Sequence, residues 1–355
     1  MSLIQPLPSG PLDIVGDVHG EYDALVSLLT QLGYDHEGRH PAQRRLVFVG
    51  DFCDRGPDSP AVLALARRLV QSGRAQAVAG NHEINLLRED PKDGSGWFFD
   101  SRSASDEPKY APFAQPQSEA ERQAIAEFAA GLPVALERED LRIVHAAWVE
   151  PQISAARAMP LGSLREQYDH WETVAESQAG ASALRARRAA EAQAWPHSLE
   201  DARERPPFLP AHSESELNKA VFNPLKVLTT GLERRCTEPF YAGGKWRFVE
   251  RMAWWNDYTD APAVVIGHYW RRLHPPRVPV HGSQEENLFG HTPPLAWHGP
   301  RRNVFCVDYS VGGRWVARRA GTLHDERFNL AALRWPERTL MFEDGREVPT
   351  QDFGG

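Results

Sequence analysis

An α/β fold built on a largely parallel sheet is predicted by three features of this sequence. First, short apolar segments recur and stop abruptly at Gly, Asp, Asn or His. Leu12–Val15 runs into Gly16-Asp17, Leu46–Val49 into Gly50-Asp51, and Ala77–Ala79 into Gly80-Asn81. Ile143-Val144 runs into His145, Val264–Ile266 into Gly267-His268, and Val304–Val307 into Asp308. Runs of this kind read as strands buried on both faces. Second, helical periods separate the first of them. Residues 21–32 put Leu25, Leu28, Leu29 and Leu32 on one face and stop at Gly33. Residues 60–72 open at Ser59-Pro60 and end before Gly73. Third, the order strand, helix, strand, helix, strand implies right-handed crossovers and parallel neighbours. Ligands of such sheets lie beyond the carboxyl ends of the strands, where the polar residues cluster here.

The length of 355 residues suits one domain, 1–355, that carries insertions. Residues 88–116 are rich in Ser, Asp, Pro and Gly and are expected to be loop. A helix follows, opened by the capping box Ser118 and Glu121 and closed near Gly131 and Pro133. Residues 133–145 read as a hairpin with a charged turn at 137–140. Residues 163–206, rich in Ala, Arg and Glu, read as a helical insertion with a solvated charged face. Residues 271–302 carry six prolines and read as loop, which makes His274, His281 and His291 surface residues.

The net charge of −8 with no Lys/Arg run argues against extended nucleic-acid binding. Cys53, Cys236 and Cys306 are far apart, which excludes a disulfide framework and a cysteine zinc site and suits the reducing cytoplasm. The start has neither the basic nor the apolar region of a secretory signal. No apolar run approaches the length of a membrane span.

Divalent cations take carboxylate, imidazole and amide oxygen ligands. Asp17, His19, Asp51, Asn81, His145 and His268 each stand at or just past a predicted strand end. Taken singly these are weak signals, because Gly-Asp after a strand ordinarily marks a turn and a lone buried histidine is ordinarily a satisfied core residue. Jointly they are specific: GDVHG (16–20), GDFCDRG (50–56) and GNHE (80–83) occur in that order, about one βα unit apart.

These three motifs resemble those of the calcineurin-like metallophosphoesterases, and more narrowly the phosphoprotein-phosphatase branch. The resemblance is tight from Asp13 to Glu83 and rests beyond that on His145 and His268. It implies a four-layer sandwich of two mixed β-sheets flanked by helices. It further implies that Asp17 and His19 hold one metal, that Asp51 bridges two, and that Asn81, His145 and His268 complete the second. His82 would be the general acid, oriented by Asp54. Arg55 and Asn81 would bind the substrate phosphate. The family also uses a second phosphate-binding arginine, for which Arg251 is the candidate. The implied cofactors are two divalent ions, manganese first and iron or zinc next, about 3.5–4 Å apart. They would supply a metal-activated water for hydrolysis of a phosphate ester.

Elementary chemistry agrees with that set. A histidine held by a carboxylate keeps the tautomer that donates a proton, and a guanidinium fork matches phosphate. The chain departs from the eukaryotic phosphatases, which carry Ser-Ala-Pro-Asn-Tyr-Cys where this sequence has Phe305-Cys306-Val307-Asp308-Tyr309. The separation of His145 from His268 is also longer than theirs. Both departures favour bacterial relatives, which include protein phosphatases and diadenosine-tetraphosphate hydrolases.

Three functions follow: a phosphomonoesterase, with serine/threonine phosphoproteins as candidate substrates; a dinucleoside polyphosphate (diadenosine tetraphosphate) hydrolase; and a non-catalytic scaffold on a phosphatase fold. Intact ligand, acid and arginine positions weigh against the scaffold. Trp254-Trp255 bear on the second reading, since tryptophans beside the site stack on a base if they line the cleft, but in most proteins they are core packing. Cys53, two residues after the bridging Asp51, reads as a small buried hydrophobe rather than a ligand.

Overall fold

The computed structural model describes residues 1–242, 244–274, 288–322 and 326–354. Two large mixed sheets dominate it. The first contains β2 (Leu12–Val15), β3 (Arg45–Phe48) and β4 (Ala75–Ala77) in parallel, joined through α1 (Tyr22–Leu32) and α2 (Ser59–Gln71). It is extended antiparallel by β11 (Ala331–Trp335), β12 (Thr339–Phe342) and β13 (Glu347–Pro349), with Leu333 opposite Ile14. The expectation of a largely parallel sheet therefore holds for half of it. The last three strands follow one another without a crossover helix, so they pair as hairpins.

The second sheet has the order β1 (Ile4–Pro6), β5 (Ala135–Glu137), β6 (Leu141–Val144), β9 (Ala263–Ile266), β10 (Val304–Cys306). The hairpin at 133–145 is β5 against β6, and β9 runs parallel to both β6 and β10.

Alternation along the strands divides the core in two. Ile14, Val47, Val265 and Phe305 share one cluster, contributed by the facing sides of both sheets. Val15, Phe48, Val264 and Ile266, from the same strands, pack instead with helix residues such as Leu25, Leu28, Val62 and Leu228. Helix, sheet, sheet, helix is the four-layer sandwich.

Helix limits follow local chemistry. Gly33, at φ 93°, closes α1 by donating its N–H to Leu29 and Thr30 carbonyls. The Asp58 side chain caps α2 by accepting from Ala61 N. Ser118 accepts from Glu121 N at 3.2 Å and opens α5 (Glu119–Ala130). After α3 (Asn81–Leu87), however, residues 88–116 are not all loop, because α4 (Asp100–Tyr110) lies within them. Its sequence is polar, contains Pro108 and has no apolar stripe. Tertiary contacts set its structure: the buried Asp106 accepts from Gly94 N at 3.1 Å and Gly96 N at 2.8 Å, and Tyr110 Oη bonds Asp93 at 2.5 Å.

Past α6 (Glu150–Arg157), the segment 163–206 holds α7 (Leu164–Ala179) and α8 (Ser182–Ala194), with no helix among the described residues 195–206. It continues into α9 (Pro210–Val221), α10 (Pro224–Thr230) and a separate hairpin, β7 (Glu233–Ala242) and β8 (Lys245–Arg251), ending at Arg251. A short α11 (Trp315–Arg319) lies near α4. Within 271–302, residues 271–274 and 288–302 contain no named strand, and His274 and His291 are exposed. Residues 275–287, including His281, lie outside the described residues. Among the described residues no helix is long and apolar enough to cross a membrane.

Candidate metal and phosphate site

The polar residues beyond both sheets meet at one point. From the first sheet come Asp17 and His19 after β2, Asp51 after β3, and Asn81 at the start of α3 after β4. From the second come His145 after β6 and His268 after β9. Asp51 Oδ2 lies 3.3 Å from His145 Nε2 and 3.8 Å from both His19 Nε2 and His82 Nε2. Two donor groups result, His19–Asp51–His82 and Asp51–His145–His268, and Asp51 belongs to both. Close backbone approach makes this possible. A Cβ on Gly80 would stand 2.1 Å from Asp51 Oδ1, and one on Gly267 would stand 2.0 Å from Asp17 Oδ1.

The backbone is strained where it matters. His19, Asp51, Asp54, Arg55 and His268 all have φ between 46° and 73°. Each such non-glycine residue costs about 1–3 kcal/mol. Core side chains, worth about 1.5–3 kcal/mol each when buried, over-determine these turns.

Asp17 Oδ1, Asn81 Oδ1 and His268 Nε2 are buried without a hydrogen-bond partner, and the buried His145 Nε2 has Asp51 Oδ2 at 3.3 Å. Each orphaned polar atom costs about 1–3 kcal/mol, and all four converge as an oxygen and imidazole set of the kind divalent ions take. His19 Nδ1 and His145 Nδ1 face the carbonyls of Cys53 at 3.0 Å and Val49 at 2.8 Å. In the neutral rings that places the proton on Nδ1 and leaves the Nε2 lone pair for a cation. The residues present fit a pair of divalent cations.

The charges point the same way. Burial pushes the Asp17 carboxyl well above its ordinary range, with Asp308 and Asp51 adding to it. Burial likewise pushes Asp308 up to about 6. Asp51 feels the same burial, but His145, His82 and His19 outweigh it and hold its carboxyl well below the usual range. Burial and nearby Arg55 hold His19 well below its usual range, and burial and Arg251 do so for His268. Burial lowers the His145 pKa, but Asp51 and Asp17 outweigh it and push it up to about 10, so the pocket sets its carboxylates beside two imidazoles held neutral, His19 and His268, and two held toward the charged form, His145 and His82.

Above this lies a cavity of about 280 Å³, lined by Asp51, Arg55, Asn81, His82, Arg251, His268 and Trp270. His82 Nδ1 bonds Asp54 Oδ2 at 2.5 Å. Burial opposes protonation of His82, but Asp51 and Asp54 raise its pKa above the ordinary value. Arg55 Nη1 sits 3.2 Å from His19 Nε2, so Arg55 and a cation compete for one lone pair. Arg251, at the end of β8, faces the same cavity as Arg55. The ten residues singled out in the sequence are thus brought together. Trp254 and Trp255 are not in the cleft. They are buried, with Trp254 Nε1 donating to Ala146 O at 3.0 Å and Trp255 packed on Tyr269.

Four neighbours escaped sequence reasoning. Glu83 accepts from Asp51 N at 2.9 Å, Phe52 N at 2.8 Å and Gly80 N at 2.9 Å, which locks the Asp51 loop onto α3. A carboxylate three residues after a glycine helix cap was the available signal. Asp308 accepts from Trp270 N at 2.7 Å and Ser310 N at 2.8 Å and holds the turn after His268. Trp270 carries the Arg55 guanidinium 4.9 Å above its ring. Trp97 Nε1 donates to Asp54 Oδ1 at 2.6 Å. Nothing in the local sequence signals Trp97, whereas the place of Trp270 two residues after His268 was an available signal.

Residues 10–147 match the family described as calcineurin-like phosphoesterase. Two bis(5'-nucleosyl)-tetraphosphatases named PrpE [asymmetrical] are similar over a short stretch. The protein from Halalkalibacterium halodurans is 47% identical over 79 residues, which is 21% of this chain and 32% of that protein. The one from Oceanobacillus iheyensis is 45% identical over 80 residues, 22% of this chain and 32% of that protein. The chain therefore spans about a third of the length of these relatives. Among solved structures, a cold-active protein-tyrosine phosphatase of a Shewanella species aligns over 98% of this chain and 83% of its own, at 16% identity and a TM-score of 0.45.

Proposed function

We propose, from the premise that this chain carries a calcineurin-like phosphoesterase domain, that it is a metal-dependent hydrolase of phosphate monoesters. One observation carries this reading: buried metal-ligand atoms of Asp17, Asn81, His145 and His268 lie about Asp51 at a cavity walled by Arg55, Arg251 and His82.

In this reading Asp17, His19, Asp51, Asn81, His145 and His268 would hold two divalent ions, Asp51 contributing to both. Bound ions would neutralise phosphate oxygens and acidify a nucleophilic water. The remaining steps belong to the chain. Arg55 and Arg251 bind the phosphoryl oxygens, and stacking on Trp270 restricts the Arg55 fork. Asn81 presents its amide to the same group. Asp54 holds His82 at Nδ1, so Nε2 faces the cavity and delivers a proton to the departing alkoxide. Manganese is our first choice of metal. The cytoplasm is our choice of compartment, on the ground that all three cysteines are free and buried.

A second reading is a dinucleoside polyphosphate hydrolase. Trp270, an aromatic face beside two arginines in the cavity, favours it, as do the names of the PrpE relatives. Burial of Trp254 and Trp255 removes the other stacking surface. The test is to assay the manganese-loaded protein on p-nitrophenyl phosphate, phosphopeptides and diadenosine tetraphosphate side by side. Turnover of the monoesters with none of the tetraphosphate supports the first reading. The reverse supports the second, and turnover of none of them overturns both.

A further inference from the structure

We propose that Trp97 is a positioning residue for the proton donor His82, acting through Asp54; this rests on the hydrolase reading above. The chain of contacts is short. The Trp97 indole N–H donates to Asp54 Oδ1 at 2.6 Å, and His82 Nδ1 bonds the other oxygen at 2.5 Å. Trp97, Asp54 and His82 are 1%, 3% and 5% exposed, so water does not substitute for either bond. A carboxylate with one partner can turn about its terminal torsion and exchange oxygens. With the indole on Oδ1, only Oδ2 remains for the imidazole, and the ring is held with Nε2 toward the cavity. Asp54 itself sits at φ 73°, with its N–H donated to Ser59 Oγ at 3.0 Å, so its backbone is fixed as well.

The loop that carries Trp97 is anchored from α4. Asp106 accepts from Gly94 N and Gly96 N through Oδ2, and from Arg102 Nη2 at 2.7 Å through Oδ1. Gly94 O in turn accepts Arg55 N at 3.1 Å. One loop therefore sets both the carboxylate behind the acid and the backbone of the phosphate-binding arginine. The plainer reading is that Asp54 merely satisfies a buried indole. The two readings separate on the leaving group, because only a misplaced acid distinguishes a poor leaving group from a good one.

The experiment measures kcat on phenyl phosphate and p-nitrophenyl phosphate for wild type, Trp97→Phe, His82→Ala and the double variant, with bound metal per chain determined on each. Trp97→Phe keeps the ring and removes only the donor. The expected loss on phenyl phosphate is about 10–100-fold, at least about tenfold greater than on p-nitrophenyl phosphate. His82→Ala should lose about 10²–10⁴-fold on phenyl phosphate, and Trp97→Phe should add nothing in that background. Equal losses on both substrates, additive losses in the double variant, or loss of metal from Trp97→Phe overturn the positioning role. If His82→Ala itself fails to discriminate the leaving groups, the acid reading falls and the role of Trp97 with it. Asp106→Asn, which leaves Trp97 in place and weakens its loop, is the second variant should Trp97→Phe not fold. It must reproduce the leaving-group-selective loss, and an unselective loss counts against the proposal.

Discussion

At the scale of the residue, Asp51 and Cys53 stand two positions apart with opposite prospects. Asp51 belongs to both donor groups, its Oδ2 lying within 3.8 Å of His19, His82 and His145, and a carboxylate can share two cations where a neutral amide cannot. The Cys53 thiol is buried and points to Glu83 Oε1 at 3.7 Å, and burial pushes its pKa well up. What Cys53 gives the site is its backbone carbonyl, which orients His19. Asp51→Asn should therefore lose turnover together with at least one metal per chain, while Cys53→Ala retains the wild-type metal content. Metal analysis and turnover of both variants check this. Retention of both metals and normal turnover by Asp51→Asn would overturn the ligand assignment. Residues at this scale were legible where a motif fixes type and spacing, as in GDVHG, GDFCDRG and GNHE. Trp97 was not, because it reaches the site through tertiary contact and carries no periodicity or spacing of its own. Arg251 stands between these cases: its charge was visible, but its placement depends on the β7–β8 hairpin, which the sequence did not announce.

At the scale of the element, the strands and their helices were legible because burial on both faces and a 3.6-residue stripe leave direct traces. Helix α4 left none, being polar and interrupted by Pro108, and it exists through its docking contacts. Asp93 is one of them, bonded to Lys109 Nζ at 2.6 Å and to Tyr110 Oη at 2.5 Å. Burial raises its pKa, but those two bonds outweigh burial and hold it below the usual value of 3.8. A depressed folded pKa gives stability that is present above the unfolded pKa and lost as pH falls through the folded one. The 93–110 segment should thus loosen below about pH 4. Asp93 is half exposed, so the effect is small and screened by salt. Hydrogen exchange of α4 relative to α1 at pH 6 and pH 3 measures it. Asp93→Asn should abolish the differential response; an unchanged response in that variant would mean that other groups govern the docking.

At the scale of the whole molecule, the site joins the two sheets. Asp17, His19, Asp51 and Asn81 extend from one sheet, and His145 and His268 from the other. The apolar clusters between and outside the sheets do not depend on that junction, so the sandwich should persist after chelation. Its stability should not be the same. Without cations, the buried carboxylates Asp17 and Asp308 and the orphaned donor atoms oppose folding. A ligand bound only by the folded state stabilises in proportion to the logarithm of its concentration, about 4 kcal/mol at a thousandfold excess over Kd. In a chain of this size that is a rise in Tm of roughly 5–10 °C. Thermal unfolding in EDTA should therefore give a lower Tm with native far-UV circular dichroism, and manganese should restore it in a concentration-dependent way. Asp51→Asn, which removes the carboxylate that belongs to both donor groups, should blunt that response. Iron and zinc titrated in parallel would rank the metals by the same readout, independently of activity. A Tm insensitive to chelator and to all three ions would mean that these residues do not bind metal, and that the orphaned atoms are satisfied by water alone.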